Sequence, residues 1–364
     1  MKTNLNSKEV ILKAKNKIIQ KIEKLGKPIK VMEFCGGHTH AIMRYGIDKL
    51  LKGYIEFIHG PGCPVCVASM DRIDLAIELA KIPNTIFTTY GDLLRVPGSY
   101  RKSLLDIRAL GCDVRSLYSC LEAFDIALQN PNKNVVFFAI GFETTTPPTS
   151  VLLKKAKEHK LKNLFVVSNH VMTLPAIRYI LNSGISHIDG IIGPGHVSVI
   201  TGMKIYEEFD IPIVISGFEA FDILKAINML LDQRIKGERK VENAYTRAVT
   251  EEGNKEAQKL IEETLDIRED FNWRGIGNLP KSALKINDDY EMFDAEKVFD
   301  VKLPASKEHP LCICPKVITG VSKPIDCKLF GNICTPENPI GSCMVSSEGA
   351  CAAYYKYQEV ELCM

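Results

Sequence analysis

Tyr54-Ile55-Glu56-Phe57-Ile58-His59-Gly60-Pro61-Gly62-Cys63-Pro64-Val65-Cys66 decides the reading of this chain. The first six residues read as a buried strand. The next seven hold two glycines and two prolines. Glycine permits close backbone approach and positive φ, whereas proline fixes φ and removes an N–H donor. A helix is expected from about Ala68. Cys63 and Cys66 would then stand at or near a helix N-terminus, where unpaired N–H groups and partial positive charge favour thiolate over thiol. Strand, reactive loop and helix together make the repeating unit of a parallel α/β sheet.

The same alternation continues on both sides. Upstream, Lys30 to Phe34 reads as a strand, followed by a turn at Cys35-Gly36-Gly37. Downstream, helices are expected at Met70–Lys81, Ser103–Leu110 and Cys120–Gln129, with strands at Thr85–Thr89 and Val114–Leu117. Strands follow at Asn134–Ile140, Leu164–Val167, Asp189–Ile192 and Pro212–Ile215, then a helix at Ala220–Asp232. The fold expected is α/β: two similar Rossmann-like parallel-sheet domains, 27–131 and 132–235, facing a cleft. Ile58-His59-Gly60-Pro61-Gly62-Cys63 resembles Ile192-Gly193-Pro194-Gly195-His196, which points weakly to duplication of one unit.

The texture changes beyond residue 236. Lys236 to Glu269 is charged with a helical period, Asn272 to Lys281 reads as irregular around Trp273, and 310–351 is rich in Cys, Pro and Gly. At the other end, Asn6 and Glu9 precede apolar positions at Ile11, Ile18, Ile22 and Leu25. That pattern is a capped amphipathic helix and not a signal peptide. Residues 1–26 and 236–364 are assigned to a third, largely helical and irregular unit, organised by a metal centre in place of a core.

A length of 364 residues fits two or three domains. With a net charge of +2 and no basic block, nothing calls for nucleic acid or an anionic membrane as partner. No run is long enough to cross a bilayer, and a cytoplasmic location is expected. Twelve cysteines in a reducing compartment are then metal ligands, redox thiols or small buried side chains.

Ligands of open parallel sheets bind at the carboxyl ends of strands. The unusual loops fall there: Cys35-Gly36-Gly37-His38-Thr39-His40, Gly60–Cys66, Tyr90–Pro97, Gly141–Pro147, Asn169-His170, Gly193–His196 and Gly217–Glu219. Cys35, His38 and His40 have metal-ligand chemistry. Cys63 and Cys66 form a C-x-x-C, read as a redox or transient metal-holding pair. Cys312, Cys327, Cys334 and Cys351 are separated by fourteen, six and sixteen residues. Four thiolates suit a [4Fe–4S] cluster, with a cysteine-ligated zinc as the alternative. Cys314, Cys343 and Cys363 are spare. The chain has no phosphate loop, dinucleotide fingerprint or nucleophile elbow.

Phe34-Cys35-Gly36-Gly37-His38-Thr39-His40, Gly60–Cys66, Gly141–Pro147, Gly193–Ser198 and the cysteine ladder together resemble the HypD family of hydrogenase maturation factors, over essentially the whole chain. The resemblance implies two α/β domains and a [4Fe–4S] domain formed with the chain termini. It implies assembly of the Fe(CN)2CO group of [NiFe]-hydrogenases with a HypC-type chaperone and a HypE-type cyanide donor. On that basis Cys35 is the transient iron ligand, Cys63 and Cys66 a redox dithiol, and Cys312, Cys327, Cys334 and Cys351 the cluster ligands. His38 and His196 become proton donors or outer-sphere groups, and Glu143, Thr144 and Thr145 partner contacts or cleft lining. Such a protein is a scaffold rather than a turnover enzyme. The alternative is a stand-alone iron–sulfur disulfide reductase.

Overall fold

The computed structural model describes residues 7–184 and 187–357. Nine strands form two parallel sheets among these residues. The first sheet has β1 (Ile29–Glu33), β2 (Ile55–His59), β7 (Gly190–Pro194), β8 (Ile213–Ser216) and β9 (Val241–Asn243), in the order β2-β1-β7-β8-β9. The second has β3 (Thr85–Tyr90), β4 (Asp113–Leu117), β5 (Asn134–Gly141) and β6 (Leu164–His170), in the order β4-β3-β5-β6. The α/β class and the two facing sheets match the expectation. The boundary at 131/132 does not. Val31 pairs with Gly190 and Glu33 with Ile192, so the first sheet takes strands from both ends of the α/β region. The second sheet is inserted between them. Apolar strands announce their burial but not their partner, and the sequential division assumed adjacency.

The two look-alike loops consequently belong to one sheet. Gly60–Cys63 follows β2 and Gly195-His196 follows β7, the two neighbours of β1. Their likeness marks two arms around Cys35, not a duplicated domain.

β5 shows how the sheets are covered. Every residue from Val135 to Gly141 is buried, as expected for a central parallel strand with both faces packed. Alternate side chains enter different cores. Val135, Phe137 and Ala139 lie under the helices Leu121–Gln129 and Thr146–Glu158. Val136, Phe138 and Ile140 share a core with Cys63, Cys66, Cys314, Cys334, Cys343 and Cys351. The cysteine-rich unit is thus organised by packing on the second sheet, where the sequence had suggested a metal centre alone.

Three further expectations change. The helix Lys8–Leu25 packs on Ala220–Lys236 at the first sheet and joins the core of that sheet. Lys21 reaches Asp232 at 2.7 Å. Residues 7–26 therefore do not belong with the cysteines, and Asn6, the expected cap, lies outside the described residues. Residues 241–243 form β9, and the one helix of the charged stretch, Lys255–Thr264, lies against Thr146–Glu158. Asp270–Trp273 and Gly277–Pro280 form an antiparallel hairpin where irregular chain was expected.

Candidate functional site

β1, β2 and β7 end side by side, and their loops are fastened together. The Gly60 N–H donates to Glu33 O at 2.9 Å and the Gly36 N–H to Gly62 O at 3.1 Å. Cys35 caps the helix Gly36–Arg44, so the Cys-Gly-Gly segment is a helix start and not a turn. The expected helix at Ala68 is split: Pro64–Val67 forms one short turn, and Met70–Ala80 begins after Ser69.

Between the carboxyl ends of the two sheets lies a cleft of about 370 Å³. One wall carries Phe34, Cys35, Gly62, Pro64, Val65 and His196; the other carries Tyr90, Asp92, Phe142, Thr144 and Thr145; Glu348 adds a carboxylate to the lining. Cys35, His196, Thr144 and Thr145 stand where the sequence placed them. Burial, followed by the charges of Glu348 and Glu33, pushes the Cys35 thiol up, while the N–H groups of Gly37 and His38 work the other way. A soft metal that replaces the proton would relieve this cost.

Behind Cys35, the Glu33 carboxylate is fully buried. It accepts from the Cys35 N–H at 3.0 Å and from the Thr39 hydroxyl. His59 Nδ1 is 2.8 Å away, and His59 Nε2 lies 3.3 Å from the Tyr354 hydroxyl. Burial raises the Glu33 carboxyl, opposed first by His59.

His38 does not reach the cleft. Its Nε2 faces Ser216 O at 3.2 Å and Gly217 O at 3.1 Å, so that nitrogen donates and Nδ1 is left an unpartnered acceptor. Burial lowers its pKa to about 4, which makes it neutral at physiological pH. The expected role of proton donor is therefore withdrawn for His38. His196 does line the cleft and is shifted down by burial. Phe218 is stacked between the two imidazoles, with centroids 4.6 Å from His38 and 4.0 Å from His196. His40 points away toward Ser347 O and the Tyr357 hydroxyl. Two residues apart on a helix means opposite faces, so Cys35, His38 and His40 do not converge. Glu143 also leaves the cleft: it accepts from the Thr173 N–H at 2.8 Å and hydroxyl at 2.9 Å, capping Thr173–Ser183.

Cys63 and Cys66 are joined as a disulfide and buried behind the cleft wall, 5% and 1% exposed. They face the ladder. Ser342 Oγ–H donates to Cys66 O at 3.2 Å. Cys312, Cys314, Cys327, Cys334, Cys343 and Cys351 line one small pocket beside them. Two of the three spare cysteines meet there, Cys314 Sγ 2.7 Å from Cys343 Sγ. Contacts with Cys312 and Cys343 hold Cys314 low, and contact with Cys314 drives Cys312 and Cys343 up. Gly341 makes this possible, since a Cβ there would stand 2.7 Å from Cys312 Sγ. Cys363 lies outside the described residues. Among the described residues no three His, Cys, Asp or Glu side chains converge on a single metal-ion position.

A family model for HypD, described as the hydrogenase formation hypA family, matches residues 9–358. The chain belongs to the HypD family. It is 51% identical over 341 residues to the hydrogenase maturation factor HypD1 of Bradyrhizobium diazoefficiens, covering 91% of this chain and 90% of that one. Against HypD of Azotobacter vinelandii it is 52% identical over 337 residues, 90% and 89% of the two chains. Against HypD of Escherichia coli K12 the figure is 44% over 339 residues, 92% and 91%. The chain is accordingly a hydrogenase maturation factor. No helix among the described residues is long and apolar enough to cross a membrane.

Sequence reasoning missed Glu348, and it held Asp92 and Phe218 only as members of the loops Tyr90–Pro97 and Gly217–Glu219. A lone acid in Ser346-Ser347-Glu348-Gly349, inside a Cys- and Gly-rich stretch, was the available signal. Burial, then Asp92 and Glu33, raises the Glu348 carboxyl to about 7 from 4.5. Between those pH values the folded chain keeps a proton that the unfolded chain has lost, so stability falls as pH rises through that window. The loss amounts to about 3 kcal/mol. Glu348→Gln is expected to remove it: urea midpoints should show the variant gaining about 2 kcal/mol or more on wild type between pH 5 and pH 8. An unchanged difference would disprove the shift.

Proposed function

We propose that this chain is the scaffold on which the Fe(CN)2CO group of [NiFe]-hydrogenases is assembled. Iron is the cargo, held by Cys35 and by a thiolate of a HypC-type chaperone, with cyanide delivered by a HypE-type partner. The supporting observation is the thiol of Cys35 on the wall of a 370 Å³ cleft, with a disulfide and the cysteine pocket behind it. The cleft is large enough for a metal with several small ligands, and it leaves one side for a partner.

The chemistry requires electrons. Release of cyanide from a thiocyanate consumes two: R–S–CN + 2 e⁻ gives R–S⁻ and CN⁻. A dithiol at Cys63 and Cys66 supplies two electrons and two protons as it closes to the disulfide. His196, which lines the cleft, would take or give a proton there.

The pocket fits a [4Fe–4S] cluster in donor type, because its polar lining is all thiol. Its free space is about 10 Å³, room for a water, so the sulfurs would part to hold a cluster. Cys312, Cys327, Cys334 and Cys351 would be its ligands. Such a cluster supplies single electrons to the thiols beside it. Cys314 and Cys343 line the same pocket, and Ser342 links Cys314 to the Cys66 carbonyl.

A stand-alone disulfide reductase needs its disulfide at the surface. The burial of Cys63 and Cys66 counts against that alternative. The proposed activity also fits the cytoplasmic location expected from the sequence.

Anaerobically purified protein is expected to carry about four irons and four sulfides per chain. Cys35→Ala should abolish the iron–cyanide infrared bands of the complex with the HypC-type chaperone and leave the cluster spectrum intact. A colourless, zinc-containing protein would overturn the cluster. Unchanged bands would overturn Cys35.

A further inference from the structure

His196 is the only imidazole among the described residues that lines the cleft. The residue is exposed, and neither ring nitrogen has a protein hydrogen-bond partner among those residues. What holds the side chain is Phe218, whose ring lies 4.0 Å away between centroids and 29° from parallel.

Phe218 has little freedom of its own. His38 covers its other face at 4.6 Å and 19°, and Tyr245 stands perpendicular to it at 6.2 Å. His38 Nε2–H is shared between Ser216 O and Gly217 O, the two carbonyls that precede Phe218, so one imidazole fixes both the ring and the backbone that carries it. Gly37 leaves the room: a Cβ there would stand 2.9 Å from Phe218 Cε1 and 3.5 Å from Cys35 Sγ. Ring and sulfur thus flank one point at the end of β1, and the stack ties that point to His196 at the end of β7.

An exposed imidazole without a hydrogen bond otherwise samples several staggered rotamers. One stacked aromatic pair favours a single orientation by roughly three- to tenfold. A carboxylate partner would commit one nitrogen as a donor and favour the charged ring, whereas a ring face leaves both nitrogens open.

We propose that Phe218 is the positioning residue of the cleft: it holds His196 beside the Cys35 loop with both ring nitrogens free for proton transfer. This rests on the proton-transfer role given to His196 in the proposed function.

The first test needs no iron. NMR spectra of the full chain with labelled histidine are compared, the His196 ring protons being identified by their loss in His196→Gln. Wild type should show them shifted upfield by the Phe218 ring. Phe218→Leu should return them to ordinary positions, and Phe218→Tyr should keep them upfield. Unmoved signals in the Leu variant overturn the inference. The second test follows the rate at which iron–cyanide infrared bands appear with the HypC-type chaperone and the cyanide donor present. Phe218→Leu is expected to slow it about tenfold and Phe218→Tyr less than about twofold. In the His196→Gln background Phe218→Leu should cost less than about twofold, because nothing is left to position. An equal loss in both backgrounds marks a merely structural role and overturns the inference. A His196→Gln rate equal to wild type would overturn the proton role of His196, and the ring shifts alone would then decide whether Phe218 holds it.

Discussion

Gly62→Ala is expected to abolish formation of the iron–cyanide group and to destabilise the chain by about 3 kcal/mol, the upper range for overpacking. A Cβ at this position would stand 2.4 Å from Cys35 N, 2.5 Å from Phe34 C and 2.6 Å from Cys35 Cα. All three are backbone atoms, so no side chain can swing aside. The two loops would have to separate, breaking the Gly36-to-Gly62 hydrogen bond that sets Cys35 against the Cys63–Cys66 turn. Gly91 supplies the control. It lines the same cleft with nothing within 4 Å of its Cβ direction, so Gly91→Ala should change stability by less than about 0.5 kcal/mol. Urea melts and infrared spectra of both variants check this. A Gly62→Ala protein with normal bands would show that the close approach is dispensable.

Glu296→Ala is expected to cost about 3–5 kcal/mol, the usual range for stripping the partner from a buried ion group. Glu296 accepts from both Arg72 and Arg268, whose side chains are 9% and 21% exposed. Arg72 also donates to Asn169 Oδ1 at 2.9 Å and Ser168 O at 3.2 Å, and both arginines lie over the Phe271 ring. This group joins the helix Met70–Ala80, the end of β6 and the segment after the hairpin. Removing the carboxylate leaves two guanidiniums facing each other in a low-dielectric site. The pair Lys13–Glu9, 71% and 77% exposed, is the contrast: Glu9→Ala should leave the denaturation midpoint unmoved. A Glu296→Ala midpoint equally unmoved would refute the interpretation.

The strands and most helices were legible because burial on both faces leaves continuous apolar runs such as Val135–Ile140. The cleft was legible for the same reason: Cys35, Gly60–Cys66, Thr144-Thr145 and His196 all follow such runs. Pairing was not, since nothing local in Lys30–Phe34 names Gly190–Pro194 as a neighbour. Side-chain direction was not legible either. His38 and Glu143 sit in the right segments, yet one turns to the carbonyls of Ser216 and Gly217 and the other caps a helix. The meeting of Cys314 with Cys343 depends on how the C-terminal loops fold back on the second sheet. Spacing along the chain carries no trace of that.

The insertion of one sheet within the other also fixes an order of events in synthesis. β1 and β2 emerge early, but two strands alone are marginal in water. Their sheet gains β7 only after the intervening unit of β3 to β6 has been made. At the usual elongation rates the wait is roughly ten seconds. The inserted unit is free to fold meanwhile, while the strand leading to Cys35 lacks its second neighbour. Cys35 and His196 are brought together only when β7 docks, so the nascent chain has no finished Cys35–His196 corner until more than half of it has left the ribosome.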